Sequence, residues 1–571
     1  MQLFEFNSDN LPGCASDAHA QVGWERFVAA AQGDAELHSF AAALEASPAG
    51  LKLARVVFGN SPFLTACWLN DLQFTKALLQ RGPDAMRDEA LSATRNWDRS
   101  LDEPGLMRLL RRQKVKMALI TAIADITQVW ELFGVTHALS DFADAAVSAA
   151  VSFQLMQLDR RGKIKLKHPD QPERESGLVI LGMGKLGGRE LNYSSDIDLI
   201  VLFDAERIET EQPMELSASF VRLARGLVEM LDKRTGDGYV FRTDLRLRPD
   251  PGSTPLAIST RAAEIYYESI GQNWERAAMI KARPIAGDLD AGQEFLDILR
   301  PYVWRKHLDF AAIQDIQSIK RQINAHKGGS TIKIRGHNVK LGRGGIREIE
   351  FYAQTQQLIW GGRERDLRVK PTLEALNALV EAGHEQAENA RTLSAAYHFL
   401  RRVEHRLQMI DDAQTHTLPE DDEGLHDIAI FLGYPTYDAF ASDILATMSQ
   451  VETLYAALFE EGQSLGAEGG GSLVFTGGES DPETLKTIRD MGYQNAEAVD
   501  AAVRGWHHAR YRATRSTRAR EILTELMPRI LSAMAGTAEP DAAFMRFDAF
   551  LGQLPAGVQL FSMFQSNPQM L

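Results

Sequence analysis

The stretch from Leu178 to Leu199, LVILGMGKLGGRELNYSSDIDL, decides the fold of the chain around it. An apolar run at its start leads into a glycine-rich turn, and a second apolar run from Leu199 to Phe203 follows its end. This pattern predicts a strand, a tight loop and a second strand. Because alternate side chains of a strand point to the same face, the carboxylates of Asp196 and Asp198 are expected to lie together.

The paired carboxylates predict a site for a divalent cation. Two like charges a few ångströms apart do not ionise readily together without a counter-ion. Mg²⁺ usually takes one or two carboxylates and shares its remaining positions with water and substrate phosphates. The preceding loop lets backbone N–H groups approach a phosphate closely, and Lys185 adds a positive charge. The glycines that allow this approach are Gly182, Gly184, Gly187 and Gly188.

A third carboxylate occurs in the segment 239–248, YVFRTDLRLR. Apolar and polar residues alternate through this segment, which predicts a strand with Asp244 and several arginines on one face. If that face turns toward Asp196 and Asp198, it adds a metal ligand or base and phosphate-binding guanidinium groups. The alternative interpretation is an ordinary turn at Ser-Asp-x-Asp beside a solvated strand edge with weak ion pairs.

A second glycine-rich loop lies at 341–350, where a helix is predicted to start near Ile346. The free N–H groups of a helix N-terminus attract anions, and Arg343 and Arg347 would strengthen that preference. The loop therefore predicts a phosphate or nucleotide contact. The alternative is a glycine-rich loop that only connects two helices.

Together these motifs resemble the nucleotidyltransferase module of the bacterial glutamine synthetase adenylyltransferase family. The resemblance rests on GMGKLGGRELNYSSDIDL with FRTDLRLRP, and it extends through NWERAAMIKAR, GRGGIREIEF and FLRRVEHRLQMIDDAQTHTLP in the same order. Family members carry two such modules, and the motif sequences here are similar to those of the N-terminal, adenylyl-removing module. Only one copy of the motif occurs, so we expect the N-terminal part of a longer protein without the adenylylating module.

The resemblance implies a fold of the α+β class. Its centre would be a small mixed-sheet nucleotidyltransferase core of the polymerase-beta type, embedded in extensive α-helical domains. The implied ligands of Mg²⁺ are the catalytic residues Asp196, Asp198 and Asp244, with Asp244 alternatively orienting the nucleophile. The implied nucleotide and phosphate contacts are Gly184, Lys185, Gly187, Ser195, Arg242, Arg246, Arg343 and Arg347. The wider superfamily commonly has Gly-Ser where this chain has Gly184-Lys185, so Lys185 departs from the pattern.

The resemblance also implies the reaction. Inorganic phosphate would attack the α-phosphorus of an AMP-tyrosine diester on adenylylated glutamine synthetase, giving ADP and free tyrosine. A tyrosine oxygen, with a solution pKa of about 10, leaves more readily than an alkoxide. Catalysis would then consist mainly of positioning and charge neutralisation. The family further implies the signal-transduction protein PII as a regulator.

Composition limits the partners and the compartment. The net charge of -15 disfavours a protein whose main task is to bind DNA or RNA. Cys14 and Cys67 are the only cysteines, which is too few for a disulfide framework or a zinc site. The chain begins with no signal-like segment and has no run of about 18 apolar residues. We expect a cytoplasmic protein with no membrane or nucleic-acid partner.

Changes in pattern along the chain predict five segments. Residues 1–160 form an N-terminal helical segment and 177–287 the catalytic domain. A helical domain over 289–461 completes the site, a glycine-rich linker occupies 466–478, and a helical linker or regulatory domain, apparently truncated, covers 480–571.

Two other functions remain open from the sequence. Gly182, Gly184 and Gly187 satisfy the G-x-G-x-x-G pattern of dinucleotide-binding oxidoreductases, and Asp204 stands where a ribose-binding acid would. However, the stretch from Gly188 to Asp196 is too short for the crossover helix that such a fold requires. The other alternative is a non-enzymatic regulatory scaffold whose helices form the main surface.

Overall fold

The computed structural model describes residues 3–305, 332–460, 482–507, 510–555 and 557–566. The chain divides into two compact units. The first unit contains Met1–Arg261, Ala278–Ile298 and Gly329–Leu458, and the second contains Ala262–Ala277, Leu299–Gly328 and Phe459–Leu571. The domain limits drawn from the sequence remain predictions, and the predicted linker at 466–478 lies outside the described residues.

Eight helices form the N-terminal part of the first unit, as the spacing of apolar residues predicts. Side-chain caps explain several of their starts: Ser47 and Ser61 each accept a backbone N–H, and a proline occupies the first position of both following helices. The helices are α1 (Asp17–Ala31), α2 (Ala35–Glu45), α3 (Pro48–Asn60), α4 (Pro62–Asn70), α5 (Leu72–Arg81), α6 (Pro83–Arg95), α7 (Glu103–Ile126) and α8 (Leu132–Arg160).

The predicted small sheet follows, and it is mixed. The elements are β1 (Leu178–Gly182), α9 (Gly184–Gly187), β2 (Asp196–Phe203), α10 (Leu216–Asp232), β3 (Arg242–Asp244), β4 (Ala257–Ser259), α11 (Thr260–Ser269), α12 (Asn273–Met279), β5 (Arg283–Gly287), α13 (Leu289–Ile298) and α14 (Arg300–Val303). The strand order is β3-β2-β1-β5, with β4 also paired to β2. Strand β1 is antiparallel to β2 and β5, whereas β3 and β4 run parallel to β2. The chain is therefore an α+β protein.

This topology does not fit a dinucleotide-binding oxidoreductase. Such a fold needs parallel first and second strands joined by a crossover helix. Here β1 and β2 are antiparallel, with Leu178 opposite Phe203 and Gly182 opposite Leu199. Only the one-turn helix α9 and a loop connect them. The glycine pattern thus serves a tight antiparallel connection.

The strand that carries Asp244 is shorter than the alternation over 239–248 predicts, because only Arg242–Asp244 pairs with β2. The chain turns immediately afterwards, where the Asp244 side chain accepts the backbone N–H of Arg246 at 2.7 Å. The Arg248 guanidinium then donates to the carbonyl of Leu245 at 2.8 Å and to that of Pro251 at 2.9 Å. These contacts satisfy the polar groups within a turn, so the alternating pattern does not continue as strand.

Helices cover the remainder of the first unit. They are α15 (Ile346–Trp360), α16 (Thr372–Glu381), α17 (Ala387–Asp411), α18 (Asp422–Phe431) and α19 (Tyr437–Glu460), which ends at the second unit. The start of α15 at Ile346 confirms the helix predicted there. Helix α17 reaches back to the N-terminal helices, because Ser61 Oγ donates to the Met409 carbonyl at 2.6 Å.

The second unit has its own apolar core. Its C-terminal helices are α20 (Pro482–Asp490), α21 (Ala496–His507), α22 (Thr517–Ala535), α23 (Pro540–Gln553) and α24 (Val558–Ser566). Trp506 lies at the centre of this core, stacked on Phe544 at 5.3 Å, and its indole N–H donates to Asp548. Among the described helices of both units, none is long and apolar enough to cross a membrane.

Arg111 positions the approach to β3 from helix α7. It is fully buried, and its guanidinium donates to the carbonyls of Met230 (3.0 Å), Gly238 (2.9 Å) and Lys233. Two of these carbonyls belong to the end of α10 and its cap, where helix carbonyls have no partner within the helix. Arg111 thereby fixes the turn between α10 and β3.

We expect Arg111→Met to lower the free energy of unfolding by about 3 kcal/mol, because it leaves the buried carbonyl of Met230 without its donor and removes the guanidinium from the part-buried carbonyl of Lys233. The shift of the urea midpoint at unchanged slope measures the effect. The neighbouring Arg112 is exposed, so Arg112→Met is the matched control and should change little. Equal midpoints for the two variants would contradict this role of Arg111.

Candidate active site

The start of β2 places the two predicted carboxylates. Asp196 and Asp198 stand two residues apart on this strand, and both are partly exposed while Ile197 between them is fully buried. In the parallel pairing with β3, Asp198 lies opposite Asp244 and Asp196 lies opposite Arg242. The short strand therefore brings the third predicted carboxylate beside the first two.

Gly184 allows the loop to pass close to these carboxylates. Its φ of +51° lies in the left-handed region, and a Cβ built on it would stand 3.1 Å from Asp198 Oδ2. The preceding residue, Met183, donates its backbone N–H to the Asp198 carbonyl at 2.9 Å. Any larger residue at position 184 would strain the backbone and crowd the Asp198 carboxylate.

The carboxylates repel one another in the absence of a cation. Burial, and then the charges of Asp196 and Asp244, raise the pKa of Asp198 to about 7, while Lys340 and Arg246 act in the opposite direction. A divalent cation bound between Asp196 and Asp198 would relieve this repulsion. The pair of oxygen donors therefore fits a cation such as Mg²⁺, which needs only one or two carboxylates from the protein.

Arg246 holds the third carboxylate. Its guanidinium donates to Asp244 Oδ2 from Nε at 2.8 Å and from Nη2 at 2.6 Å, and its side chain is 81% exposed. Burial acts to raise the pKa of Asp244, but the hydrogen bonds from Arg246 outweigh it and lower the pKa. Within the described ranges, no three carboxylate, imidazole or thiol groups converge as a metal site.

The side chain of Lys185 is directed into the protein, where it contacts Asn192 and Glu404. Its ammonium donates to Asn192 Oδ1 at 3.0 Å and lies 3.3 Å from Glu404 Oε2, and its side chain is only 11% exposed. Burial lowers the pKa of Lys185 to about 7, against the opposing effect of Glu404. The ammonium thus ties helix α9 to helix α17.

Glu404 is the centre of a buried polar network. Its carboxylate lies 2.7 Å from Nδ1 of His416 and 3.2 Å from Nε of Arg401, in addition to Lys185. Burial opposes its ionisation, but Lys185, then His416 and Arg401, outweigh burial and hold the pKa of Glu404 well below its usual value. The adjacent His405 instead contacts Asp125, with 3.3 Å between Nδ1 and Oδ2.

Arg242 is also engaged. Its guanidinium donates to Tyr239 Oη at 2.7 Å and to Ser194 Oγ at 2.9 Å. Tyr239 in turn donates to Asp412 Oδ2 at 2.8 Å, and Ser194 donates to the Asp412 carbonyl at 2.8 Å. Arg242 therefore links β3 to the loop before β2 and to the end of α17. Ser195, beside this network, is partly exposed.

Gly187 supports the site through packing. A Cβ at this position would lie 1.9 Å from the backbone oxygen of Lys281 and 2.6 Å from that of Gly182. The ammonium of Lys281 is buried and pairs with Glu190 at 2.5 Å. Helix α9 thus lies directly against the start of β5.

The second glycine-rich loop does not leave its helix end free for an anion. The backbone N–H of Gly344 donates to Glu348 Oε2 at 2.9 Å. Arg343 pairs with Glu452 at 3.0 Å, and Arg347 is exposed. No contact among the described residues joins either arginine to the carboxylates on β2 and β3.

A cleft of about 800 Å³ opens beside β3. Asp196 and Asp244 line one side, and helix α10 lines the other. Five arginines surround this space: Arg225, Arg234, Arg242, Arg246 and Arg248. The cleft thus combines carboxylates that fit a cation with guanidinium groups that fit phosphate oxygens.

Two protein-family models match the chain, one over each of two successive regions. A family model described as glutamate-ammonia ligase adenylyltransferase matches residues 51–298, and one described as GlnD PII-uridylyltransferase matches residues 316–459. Bifunctional glutamine synthetase adenylyltransferase/adenylyl-removing enzymes are similar along most of the chain. The one from Mesorhizobium japonicum is 50% identical over 95% of this chain and 55% of its own length. The one from Rhizobium meliloti is 49% identical over 98% of this chain and 57% of its own length.

The chain belongs to the bifunctional glutamine synthetase adenylyltransferase/adenylyl-removing family. The family resemblance predicted from the motifs is thereby confirmed. The chain spans about half the length of the curated relatives it matches. A relative from Brucella melitensis, 54% identical over 82% of this chain, is covered over 48% of its length.

Sequence reasoning missed the role of Glu404. This residue lies in FLRRVEHRLQ, but the motif does not indicate its partners. Glu404 is 219 positions from Lys185, and only the fold brings them together. The one signal in the sequence was that Glu404 stands inside a motif of the family resemblance.

Proposed function

We propose that this chain removes AMP from adenylylated glutamine synthetase by Mg²⁺-dependent phosphorolysis. The observation that carries the proposal is the pair Asp196 and Asp198 at the start of β2, with Asp244 opposite on β3. The printed names of the relatives, which include an adenylyl-removing activity, support the same reaction. The motif sequences resemble those of the N-terminal module of the family, and this favours removal of AMP over its addition.

The residues of the site have separate tasks in this proposal. Asp196 and Asp198 would hold Mg²⁺, and Asp244 would join them or orient the incoming phosphate. When bound, the cation neutralises phosphate charge and stabilises the leaving oxygen. Gly184 admits the phosphate chain close to the backbone, as its left-handed conformation allows. Arg246 is exposed and borders the cleft, so it can contact the incoming phosphate.

The reaction is balanced without an oxidant or reductant. An oxygen of inorganic phosphate forms a bond to the α-phosphorus, and the bond from that phosphorus to the tyrosine oxygen breaks. The electron pair of the broken bond stays on the tyrosine oxygen, which then takes a proton from solvent. A phenolic oxygen with a pKa of about 10 is a better leaving group than an alkoxide. The protein contributes position and charge stabilisation.

The proposed partners follow from this reaction. Adenylylated glutamine synthetase is the protein substrate, phosphate is the co-substrate, and ADP is the product. We propose PII as the regulator and the cytoplasm as the compartment, with no nucleic-acid partner, in keeping with the net charge of -15. A scaffold without catalysis would bind the synthetase but leave its AMP in place.

The product distinguishes these functions. The chain is incubated with adenylylated glutamine synthetase, Mg²⁺ and phosphate labelled with ³²P. We expect the label in the β-phosphate of ADP, and we expect loss of the product when phosphate is omitted. Unlabelled AMP would indicate hydrolysis. Unchanged adenylylated synthetase would contradict the proposed removal reaction.

A further inference from the structure

A second cavity, of about 340 Å³, lies within the first unit. Its walls come from residues 9–12, from Gln128 after helix α7, from α17 and from the end of α18. It shares no lining residue with the cleft beside β3. Its volume lies at the lower end of the range for small-molecule sites. The cavity therefore has room for a small ligand.

Arg402 of α17 lines this cavity, and its guanidinium lacks acceptors. Its Nε is buried without a hydrogen bond, and the side chain forms no hydrogen bond or ion pair with a described residue. The guanidinium carbon lies 5.9 Å from the centre of the Phe399 ring, a contact that satisfies no N–H group. An arginine presents five N–H donors, and a charge removed from water without an acceptor is unfavourable. Arg402 therefore has donors to offer to a ligand in the cavity.

The other arginine of the lining, Arg406, is held by protein groups. Its Nη1 lies 3.0 Å from Asp125 Oδ1, and its Nε donates to the Phe431 carbonyl at 3.2 Å. Among the described lining residues Asp9 has the one carboxylate, which is exposed and forms no ion pair with either arginine. The lining thus has more positive than negative charge, which favours an anion.

We propose that this cavity binds a small molecule through a carboxylate or phosphate group held by Arg402. Both groups present two oxygens at a spacing that the planar guanidinium matches with parallel N–H donors. Gln128 and Tyr434 also line the cavity, and such polar side chains commonly orient a ligand. The proposal goes beyond the removal of AMP and does not depend on it.

The cavity is separate from the candidate active site, although helix α17 contributes to both. Glu404, which contacts Lys185, lies two residues from Arg402 and two from Arg406 on this helix. Residues two positions apart on a helix do not share a face. A ligand at Arg402 would therefore lie on a different face of α17 from the one that holds Lys185.

The test measures binding of inorganic phosphate and of malonate to the full chain by titration calorimetry. EDTA is present so that no divalent cation can hold an anion at Asp196 and Asp198, and chloride keeps the ionic strength constant because salt screens charges. Arg402→Met removes the guanidinium, whereas Arg402→Lys keeps the charge without the planar fork. Arg391→Met, at an exposed position of the same helix, is the control.

We expect the unaltered chain to bind at least one of the two probes saturably, and Arg402→Met to weaken that binding about tenfold. Arg402→Lys should recover part of the loss, and Arg391→Met should match the unaltered chain. Binding of phosphate alone would identify a phosphate ligand, and binding of malonate alone a carboxylate ligand. Absence of saturable binding of both probes, or equal binding by Arg402→Met, would overturn the proposal.

Thermal unfolding distinguishes loss of the ligand site from loss of the fold. Without either probe, Arg402→Met should unfold at no lower temperature than the unaltered chain, because it removes a partly buried charge that has no acceptor. A lower unfolding temperature together with weaker binding would assign Arg402 a structural role and would also overturn the proposal.

Discussion

We expect Asp198→Asn to reduce phosphate-dependent ADP formation about 10³-fold, because charge stabilisation by a bound cation contributes several kcal/mol to the transition state. The asparagine keeps the size of the side chain and removes the charge that would hold the cation. A chromatographic assay of ADP released from adenylylated glutamine synthetase measures the loss. Asp170 is exposed, and Asp170→Asn is the control that should retain full activity. Full activity in Asp198→Asn would contradict the site.

The same substitution has an opposite expected effect on stability. In the folded, metal-free chain the pKa of Asp198 is about 7, above the ordinary value of 3.8. The folded state then binds more protons than the unfolded state, so its stability falls as pH rises from about 4 to about 7. Asp198→Asn removes this dependence. In EDTA at pH 8, we expect a higher unfolding temperature for Asp198→Asn than for the unaltered chain.

Gly187→Ala is expected to destabilise the first unit by about 3 kcal/mol, the upper part of the range for overpacked positions. The added methyl group would lie 1.9 Å from the Lys281 backbone oxygen, and neither atom belongs to a flexible side-chain end. Helix α9 or the start of β5 must therefore move. Because α9 begins at Gly184, the residue that lies against the Asp198 carboxylate, such a shift should also reduce activity. Thermal unfolding and the ADP assay measure the two effects.

Gly33→Ala provides the control for this substitution. A Cβ on Gly33 meets no atom within 4 Å, and its φ does not require glycine. We expect the unfolding temperature of Gly33→Ala to match that of the unaltered chain. A Gly187→Ala chain as stable as the Gly33→Ala chain would show that α9 does not pack on β5 as described.

The local features of the fold could be predicted from sequence because they depend on neighbouring residues. The three-and-four spacing of apolar residues predicts the N-terminal helices, and the apolar runs around the glycine loop predict β1 and β2. The two-residue spacing of Asp196 and Asp198 predicts a shared strand face, and both lie on β2. The short loop also argued against a crossover helix, in agreement with the antiparallel pairing of β1 and β2.

The features that sequence reasoning missed depend on distant residues or on competition between polar groups. Alternation over 239–248 predicts a long strand, but the Asp244 side chain captures the N–H of Arg246 and ends it. The motif predicts a phosphate contact for Lys185, yet its ammonium pairs with Glu404 of helix α17. Helical spacing of side chains continues from Trp274 to Arg283, whereas the helix ends at Met279 and Arg283 begins β5. Periodicity reports which face is buried and carries no information about which partner satisfies a charge.

The most direct test is a crystal structure of the chain grown with Mn²⁺ and ADP, in which the anomalous signal of manganese locates the cation. We expect the cation between the carboxylates of Asp196 and Asp198, with the β-phosphate of ADP on its open side. Manganese and ADP bound away from β2, with the Asp196 and Asp198 carboxylates free of both, would contradict the account.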